Sequence, residues 1–433
     1  MNTNKKHWRN EKGEVIAVPN HSYIKLQLVR FNAAMGRNET VVMQADESGE
    51  TFRLIKGETG RKYGRKAPKM SMTPLLMEDW DNFFWRKIET GWRVKAVEPE
   101  EEIEVKKTAG NKPIKDKEVA DIINIFTTAS NRVFEEEYSI KIENIPKEDL
   151  DAAQKLLNEL SAGKTTLTPM EFNNKLLDLW FLIPRVIRNL NKEKVNSPEE
   201  YQEKLEKEQE LLDLVKSMLR DEITGNSQHL TILEENNLEV VPVTAEEQDK
   251  LIDMMGNKGS QFNRAFRVIN HKTEKAFNDF IAAEGLKEDQ ITELFHGSRT
   301  ENWWSILANG LYLNPEGVRI NGKMFGWGLY FAPKAQKSMG YTSARNSCWA
   351  HGSESTGYLA VFKVATGNIY EFYDEPNRYT PNHYEDFHRN APDKHCLWAR
   401  GRETCSNSSL LNDEVIIYKE EQATIEYIIE YTC

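Results

Sequence analysis

Between Tyr23 and Ile55 apolar and polar residues alternate in short runs, YIKLQLVRF, ETVVMQAD and ETFRLIKG, separated by the turn-forming stretches NAAMGRN and DESGE. Alternation with period two predicts half-buried strands, here a small antiparallel sheet. The period then changes: TPLLMEDWDNFFWRKIETGWRV places Leu76, Trp80, Phe83, Phe84 and Lys87 at helical spacing, with Gly91 closing the helix before a short strand. From 119 to 222 come four long patterns with apolar residues three and four apart, VADIINIFTTASNRVFEEEY, PKEDLDAAQKLLNELSAG, TPMEFNNKLLDLWFLIPRVI and SPEEYQEKLEKEQELLDLVKSMLRDEI. Capping residues or prolines open them, which predicts an all-α bundle. The charges of the last are read as the solvated outer face of a bundle helix. After 235 the text turns to mixed α/β, with strand-like LEVVPV, FRVIN, GLYFAP, GYLAVFKVAT, DEVIIY and TIEYIIEY between short helices.

These changes of period predict an α+β multidomain chain. Residues 1–103 form a small antiparallel sheet with one helix, 104–118 a linker, 119–230 the helical bundle and 231–433 a mixed α/β domain. The segment EPEEEIEVKKTAGNKPIKDKE (98–118) is charge-rich and lacks apolar periodicity, as linkers do. A chain of 433 residues exceeds what one core usually organises. Its 39% apolar content, ten Trp and eighteen Phe supply enough bulk for packed cores.

Charge and cysteine change the picture only locally. The net charge is −11, yet residues 1–97 carry 18 Lys and Arg against 11 Asp and Glu, so attraction to phosphate belongs to the N-terminal part. Four cysteines, Cys348, Cys396, Cys405 and Cys433, form no CxxC pair and read as free thiols in a reducing compartment. No apolar run reaches membrane-spanning length and the N-terminal stretch lacks a signal-like core, so an intracellular location without membrane contact is expected. A zinc site is suggested by the CxxH spacing of Cys348 and His351, with His383, His388, His395, Cys396 and Cys405 following. A second tight pair is not clear, and no metal is expected.

Three stretches carry candidate chemistry. LFHGSRT sets His296, Gly297, Ser298 and Arg299 at a strand end, where Gly lets a flat ligand approach the backbone; a structural histidine is equally compatible with this text. NGKMFGWGLYFAPKAQKSMGY flanks Trp327 with Gly326 and Gly328 before a strand holding Tyr330, and a helix follows with Lys337, Ser338 and Tyr341 near one another on its surface. Two tyrosines and a serine suit an aromatic amide. SSLLNDEVIIY places Glu414 at the head of an apolar run, either as a solvated strand-end residue or as a placed catalytic group.

In this order, from about 290 to 431, HGSR, GxGxYFA with KSxxY, and SSLLxxEVIIY resemble the catalytic domain of the poly(ADP-ribose) polymerases, whose signature is a spaced His-Tyr-Glu set. NIPKEDLDAAQKLLNEL with FLIPR resembles the regulatory helical domain of the DNA-dependent members. The N-terminal sheet and helix resemble their WGR domain, without the Trp-Gly-Arg triplet; the nearest text is KGETGRKYGRK at 56–66. The resemblance implies an ADP-ribosyltransferase fold with two short antiparallel sheets, and an enzyme that consumes NAD to modify protein acceptors, itself included. In that family His296 would bond the adenine-side ribose, and Ser298, its neighbour Arg299 and Asn302 would lie along the adenosine portion. Tyr341 and Tyr330 would sandwich the nicotinamide, while Gly297 and Ser338 would hold its carboxamide. Glu414 would stabilise the positive ribosyl centre, and Lys337 would point toward the acceptor. A Glu at 414 favours polymer over single-unit transfer, since members with Ile, Leu or Tyr there generally add one unit. DNA breaks would stimulate the enzyme through the N-terminal domain, and its place is nuclear in a eukaryote or cytoplasmic in a prokaryote. Tyr312 stands where such relatives usually carry Arg, so an ionic contact near the adenosine portion is missing. The alternatives are a mono-ADP-ribosyltransferase, an inert DNA-end or ADP-ribose reader, which would have lost His296, Tyr330 or Glu414, and a secreted toxin, which would need an export signal.

Overall fold

A computed structural model describes residues 8–9, 15–16, 24–32, 37–45, 50–58, 69–70, 74–99, 112–138, 142, 145–164, 166–183, 185–186, 190–219, 230–313, 324–326, 328–373, 380–381 and 384–433. Most of the basic stretch at 56–66, most of the 98–118 segment, Trp327 and His383 lie outside these residues. Residues 1–108 and 135–201 form one compact unit, and residues 109–134 and 202–433 a second.

In the first unit the alternating runs become strands β1 (Ile24–Asn32), β2 (Arg37–Ala45) and β3 (Thr51–Glu58). With β4 (Arg93–Pro99) they form an antiparallel sheet ordered β3-β2-β1-β4. Alternation sends Leu28, Val41, Met43, Phe52 and Leu54 to one face. Helix α1 (Trp80–Glu89) covers that face with Trp80 and Phe84, the Trp80 ring lying edge-on to Phe52 at 4.9 Å. Each such buried ring stabilises the unit by about 1.5–3 kcal/mol. Gly91 takes φ +84° in the turn after α1, a left-handed conformation that glycine adopts without strain.

Four helices follow, α2 (Lys117–Glu137), α3 (Lys147–Ala162), α4 (Pro169–Leu182) and α5 (Tyr201–Met218). The TPME text at α4 works as it reads: the Thr168 side chain accepts from the Glu171 N–H, Glu171 bonds back to Thr168, and Pro169 takes the first turn. Two features depart from the sequence reading. All of α2 up to Phe134, and α5 from Gln202 on, belong to the second unit, where Val119, Ile122, Ile123 and Phe126 enter its largest core. The charged helix α5 is a solvated face only in part: Glu203, Lys207 and Glu210 are exposed, whereas Gln202, Lys204, Glu208 and Gln209 are buried, with Lys204 and Glu208 paired one turn apart at 3.5 Å. Heavy charge is compatible with burial when the charged groups pair along the helix, and composition alone cannot distinguish that from solvation.

The second unit stacks elements around two sheets. In chain order it contains β5 (Leu238–Pro242), α6 (Ala245–Met254), β6 (Phe262–Asn270), α7 (His271–Glu284), β7 (Ile291–Gly297), α8 (Trp303–Asn309), β8 (Leu329–Phe331) and α9 (Ala335–Met339). It continues with β9 (Thr356–Ala365), β10 (Ile369–Phe372), α10 (Tyr384–Asn390), β11 (Cys396–Ala399), β12 (Glu414–Ile417) and β13 (Ala423–Thr432). Strands β7-β9-β13-β6-β5 pair antiparallel throughout. The second sheet, β8-β12-β11-β10, is antiparallel except for the parallel pair β10 and β11. So the expected two antiparallel sheets become a five-stranded antiparallel sheet and a four-stranded one with a parallel edge. They share a core of Leu294, Trp303, Phe331, Phe362, Val415 and Ile417, joined by the α2 residues. The sheets are tied by a bridge in which Phe295 and Ala332 exchange backbone hydrogen bonds of 2.8 and 2.9 Å. No described helix is long and apolar enough to cross a membrane.

Candidate active site

The Phe295–Ala332 bridge brings two of the three sequence motifs together. His296 lies next to the bridge on β7, and its Nδ1 is 3.0 Å from the Tyr330 carbonyl oxygen, so the imidazole is fixed by the backbone of β8. The rings of Phe331 and Phe362 lie 5.8 and 5.9 Å from it. Gly297 ends the strand against α9: a Cβ there would stand 1.9 Å from the Ser338 carbonyl oxygen, so no other residue fits without moving the backbone. Ser338 is buried, its hydroxyl donating to the Phe295 carbonyl at 3.1 Å. Helix α9 ends at Met339 and Tyr341 lies beyond it. The expected helix surface carrying Lys337, Ser338 and Tyr341 is therefore a short buried helix followed by a turn.

Register supplies the third motif. Tyr330 pairs with Ile416 across β8 and β12, and side chains two apart on a strand share a face, so Glu414 is on the Tyr330 side of the sheet. Its carboxylate is 9% exposed and Oε1 meets the Lys337 ammonium at 2.6 Å, while the lysine is itself 13% exposed. Neither is a solvated surface group. The Lys337 ammonium also lies 3.5 Å from the Asn412 carbonyl. The Tyr330 hydroxyl donates to the Gly326 carbonyl at 2.9 Å and accepts from the Phe325 N–H at 3.1 Å. Burial pushes its phenol far above the usual value, and the Glu414 charge adds to the effect. Tyr341 is pushed up to about 12 by loss of hydration and by Glu414. Both tyrosines are thus neutral donors at ordinary pH.

At the other end of the site, past β7, the Asn302 amide donates to the Ser298 hydroxyl at 3.1 Å. Arg299 is exposed, its carbonyl accepting from the Asn302 N–H at 3.0 Å. The structure therefore gathers His296, Gly297, Tyr330, Lys337, Ser338, Tyr341 and Glu414 around the ends of β7, β8 and β12, with Ser298 and Asn302 on the adjoining turn. Among the described residues no group of three or more His, Cys, Asp or Glu gathers as a metal site.

Two sets of neighbours are not apparent in the sequence. Trp349 stacks against Tyr341 with centroids 6.3 Å apart and planes at 20°, leaving the indole 67% exposed. Asp413, the residue before Glu414, accepts hydrogen bonds from Trp398 Nε1 (2.8 Å), Arg400 Nη1 (3.0 Å) and Gly401 N (2.7 Å). The adjacency of an acid to Glu414 is visible in the text NDE. Its partners, twelve to fifteen residues away on and just past a neighbouring strand, are not.

Comparison with known proteins covers this region. Residues 253–433 match the poly(ADP-ribose) polymerase catalytic domain. Poly [ADP-ribose] polymerase 1 of Danio rerio is 24% identical over 386 residues, 81% of this chain and 36% of that protein. The putative poly [ADP-ribose] polymerase-like protein 100L of Invertebrate iridescent virus 6 is 29% identical over 193 residues, 43% of this chain and 97% of that protein. Poly [ADP-ribose] polymerase 2 of Homo sapiens is 40% identical over 90 residues, 20% of this chain and 14% of that protein. The chain thus spans well under half the length of the vertebrate relatives it matches. Together with the meeting of the three motifs around β7, β8 and β12, these matches mean that residues 253–433 are similar to the poly(ADP-ribose) polymerase catalytic domain.

Proposed function

We propose that the chain is an NAD-consuming ADP-ribosyltransferase that breaks the bond between nicotinamide and ribose and passes ADP-ribose to protein acceptors, itself among them, and to growing polymer. The observation that carries this reading is the Lys337–Glu414 pair, 2.6 Å apart and almost fully buried beside Tyr330. As the carbon–nitrogen bond breaks, nicotinamide leaves with the electron pair and the ribose carbon becomes cationic. A carboxylate held beside it stabilises that transition state more than the ground state, and a dry site strengthens the effect. The acceptor oxygen then attacks the same carbon and gives up its proton. His296, whose ring is oriented by the Tyr330 carbonyl, would bond the adenine-side ribose. Gly297 and Ser338 would hold the carboxamide between Tyr330 and Tyr341, with Ser298, Arg299 and Asn302 along the adenosine portion. Lys337, bridging Glu414 and the Asn412 carbonyl, would orient the carboxylate toward an acceptor hydroxyl.

We extend the proposal to stimulation by DNA breaks. In the first unit the Lys87 ammonium lies 4.3 Å from the Trp92 ring centre and the Arg30 guanidinium 5.0 Å. Burial and the nearby charges of Lys56 and Arg30 lower the Lys87 pKa. Arg30 is paired with Glu39 at 2.6 Å, so within this cluster it is the Lys87 ammonium that would meet a phosphate. In the second unit the Ser130 hydroxyl of α2 donates to the Glu301 carbonyl at 2.6 Å, one residue from Asn302, which supports control of the NAD site by the helical segment.

The test is NAD turnover with and without nicked DNA, for the native chain and Glu414→Gln, with products resolved as polymer ladders. A ladder stimulated by DNA and lost in the variant supports the whole reading. Turnover without a ladder reduces it to single-unit transfer, and no turnover in any condition favours an inert reader.

A further inference from the structure

On the face of the four-stranded sheet opposite Glu414, four side chains from three strands and their ends close into one cluster. Alternation along β12 and the pairing of Ala399 with Glu414 place Asp413 and Arg400 together on that face, just past the last backbone pair. Trp398 and Glu371, paired in register across β11 and β10, share it. Asp413 receives three donors, from Gly401 N at 2.7 Å, Trp398 Nε1 at 2.8 Å and Arg400 Nη1 at 3.0 Å. The same guanidinium donates through Nη2 to Glu371 at 2.6 Å and lies 4.9 Å from the centre of the Trp398 ring. Glu371 also accepts from the Tyr373 hydroxyl at 2.5 Å. The backbone is clamped beside it: a Cβ on Gly401 would stand 2.5 Å from the Asn412 carbonyl carbon, and Lys337 reaches the Asn412 carbonyl oxygen from the other side.

These restraints fall on the two residues before Glu414 rather than on Glu414 itself. Resting on the proposed role of Glu414, we infer that Asp413, with Arg400 and Glu371 behind it, is a positioning residue that holds the start of β12 so that the Glu414 carboxylate meets Lys337 and the reacting ribose in one place. The physical need is specific. Glu414 heads its strand, and the backbone ladder between β12 and β11 stops at its pairing with Ala399. A carboxylate with three donors, two on Oδ2 and one on Oδ1, continues that ladder by other means and resists sliding, because both oxygens are held. Burial alone would push the Asp413 carboxyl up; the bonds from Gly401, Trp398 and Arg400 overcome this and hold it below the usual aspartate range. Displacement of a catalytic group by about 1 Å costs on the order of 10²-fold in rate, so loosening this anchor has a measurable effect without loss of the fold.

The test uses the full chain and two independent readouts. Backbone hydrogen exchange by mass spectrometry over residues 410–417 is compared for the native chain, Asp413→Asn and Asp413→Ala. Exchange rises in Asp413→Ala and less in Asp413→Asn, which retains one acceptor oxygen; unchanged exchange overturns the inference whether or not the protein is active. In NAD turnover Asp413→Ala lowers kcat about tenfold with KM for NAD within about twofold, Asp413→Asn recovers part of the loss, and Arg400→Lys falls between. Combined with Glu414→Gln, Asp413→Ala adds nothing further, because it acts through the missing carboxylate. Losses that multiply, or a change confined to KM or melting temperature, overturn the positioning role. A native chain that turns over no NAD, while Asp413→Ala still releases exchange, overturns the proposed activity and leaves the anchor standing.

Discussion

At Glu414 a carboxylate must be both dry and held, and the surrounding residues meet the two demands separately. Lys337 supplies the opposite charge at 2.6 Å, and the sheet register sets the direction of the side chain. Glu414→Gln keeps size and hydrogen bonding while removing the charge, so kcat is expected to fall on the order of 10²–10³-fold with little change in KM for NAD, read by steady-state turnover. At Gly297 the constraint is steric. A Cβ at this position would lie 1.9 Å from the Ser338 carbonyl oxygen, so Gly297→Ala pushes α9 off β7. The expected cost is roughly 2–4 kcal/mol of stability with loss of turnover, measured by thermal unfolding beside the same assay. The motif residues are legible in the sequence because each motif retains its spacing. Asp413, Arg400 and Glu371 are not, since the donors to Asp413 come from residues 398–401 and the second carboxylate on Arg400 from another strand, which leaves no local pattern.

Among the elements, α5 shows where charge and burial part company. Asp213 on this helix is pushed up to about 6 by burial, with the Gln209 amide bond opposing the shift. A carboxyl whose folded pKa is raised contributes its stability below the unfolded value near 3.9 and loses it as pH rises through 6. Asp213→Asn is therefore expected to raise stability at pH 7 by roughly 1–3 kcal/mol, with the gain vanishing by about pH 4, as melting temperature against pH would record. Asp413 has the opposite sign. Its lowered folded pKa means that its contribution is complete above the ordinary aspartate range and is lost as pH falls through the lowered value. Lengths and types of elements are largely readable: the runs at 24–32, 37–45 and 51–58 are strands, and the long patterns are helices. The sides that face solvent are less so, because on α5 the exposed Glu203, Lys207 and Glu210 and the buried, paired Lys204 and Glu208 carry the same kind of text.

For the whole molecule, the consequence lies in α2. Val119, Ile122, Ile123 and Phe126 share a core with the strands of the second unit, and Phe126 meets the Tyr358 ring edge-on at 4.8 Å. Arg264 fastens the same helix, bonding Asp121 at 2.5 Å and Glu430 at 2.8 Å. A chain cut at residue 231 loses these contacts, each large side chain being worth about 2–5 kcal/mol in a core. That piece is expected to bind hydrophobic dyes and melt at a lower temperature than the full chain, as dye fluorescence and calorimetry would show. A monomeric 231–433 piece with unchanged melting would remove α2 from the core. The distinction matters for any test of control by the helical segment, since removing α2 takes away packing as well as regulation.

Read along the chain, the residues already dictate what depends on near neighbours: the periods that make strands and helices, the capping box of α4, and the ordered His, Tyr and Glu motifs that resemble a poly(ADP-ribose) polymerase catalytic domain. What depends on pairing between distant segments emerges only in the folded chain. The bridge between Phe295 and Ala332, the register that turns Glu414 toward Lys337 and Asp413 away from it, and the burial of α2 and α5 all arise from contacts between segments far apart in sequence. Local propensity acts over a few residues, whereas the direction of a side chain in a sheet is set by the strand beside it, and that strand comes from elsewhere in the chain.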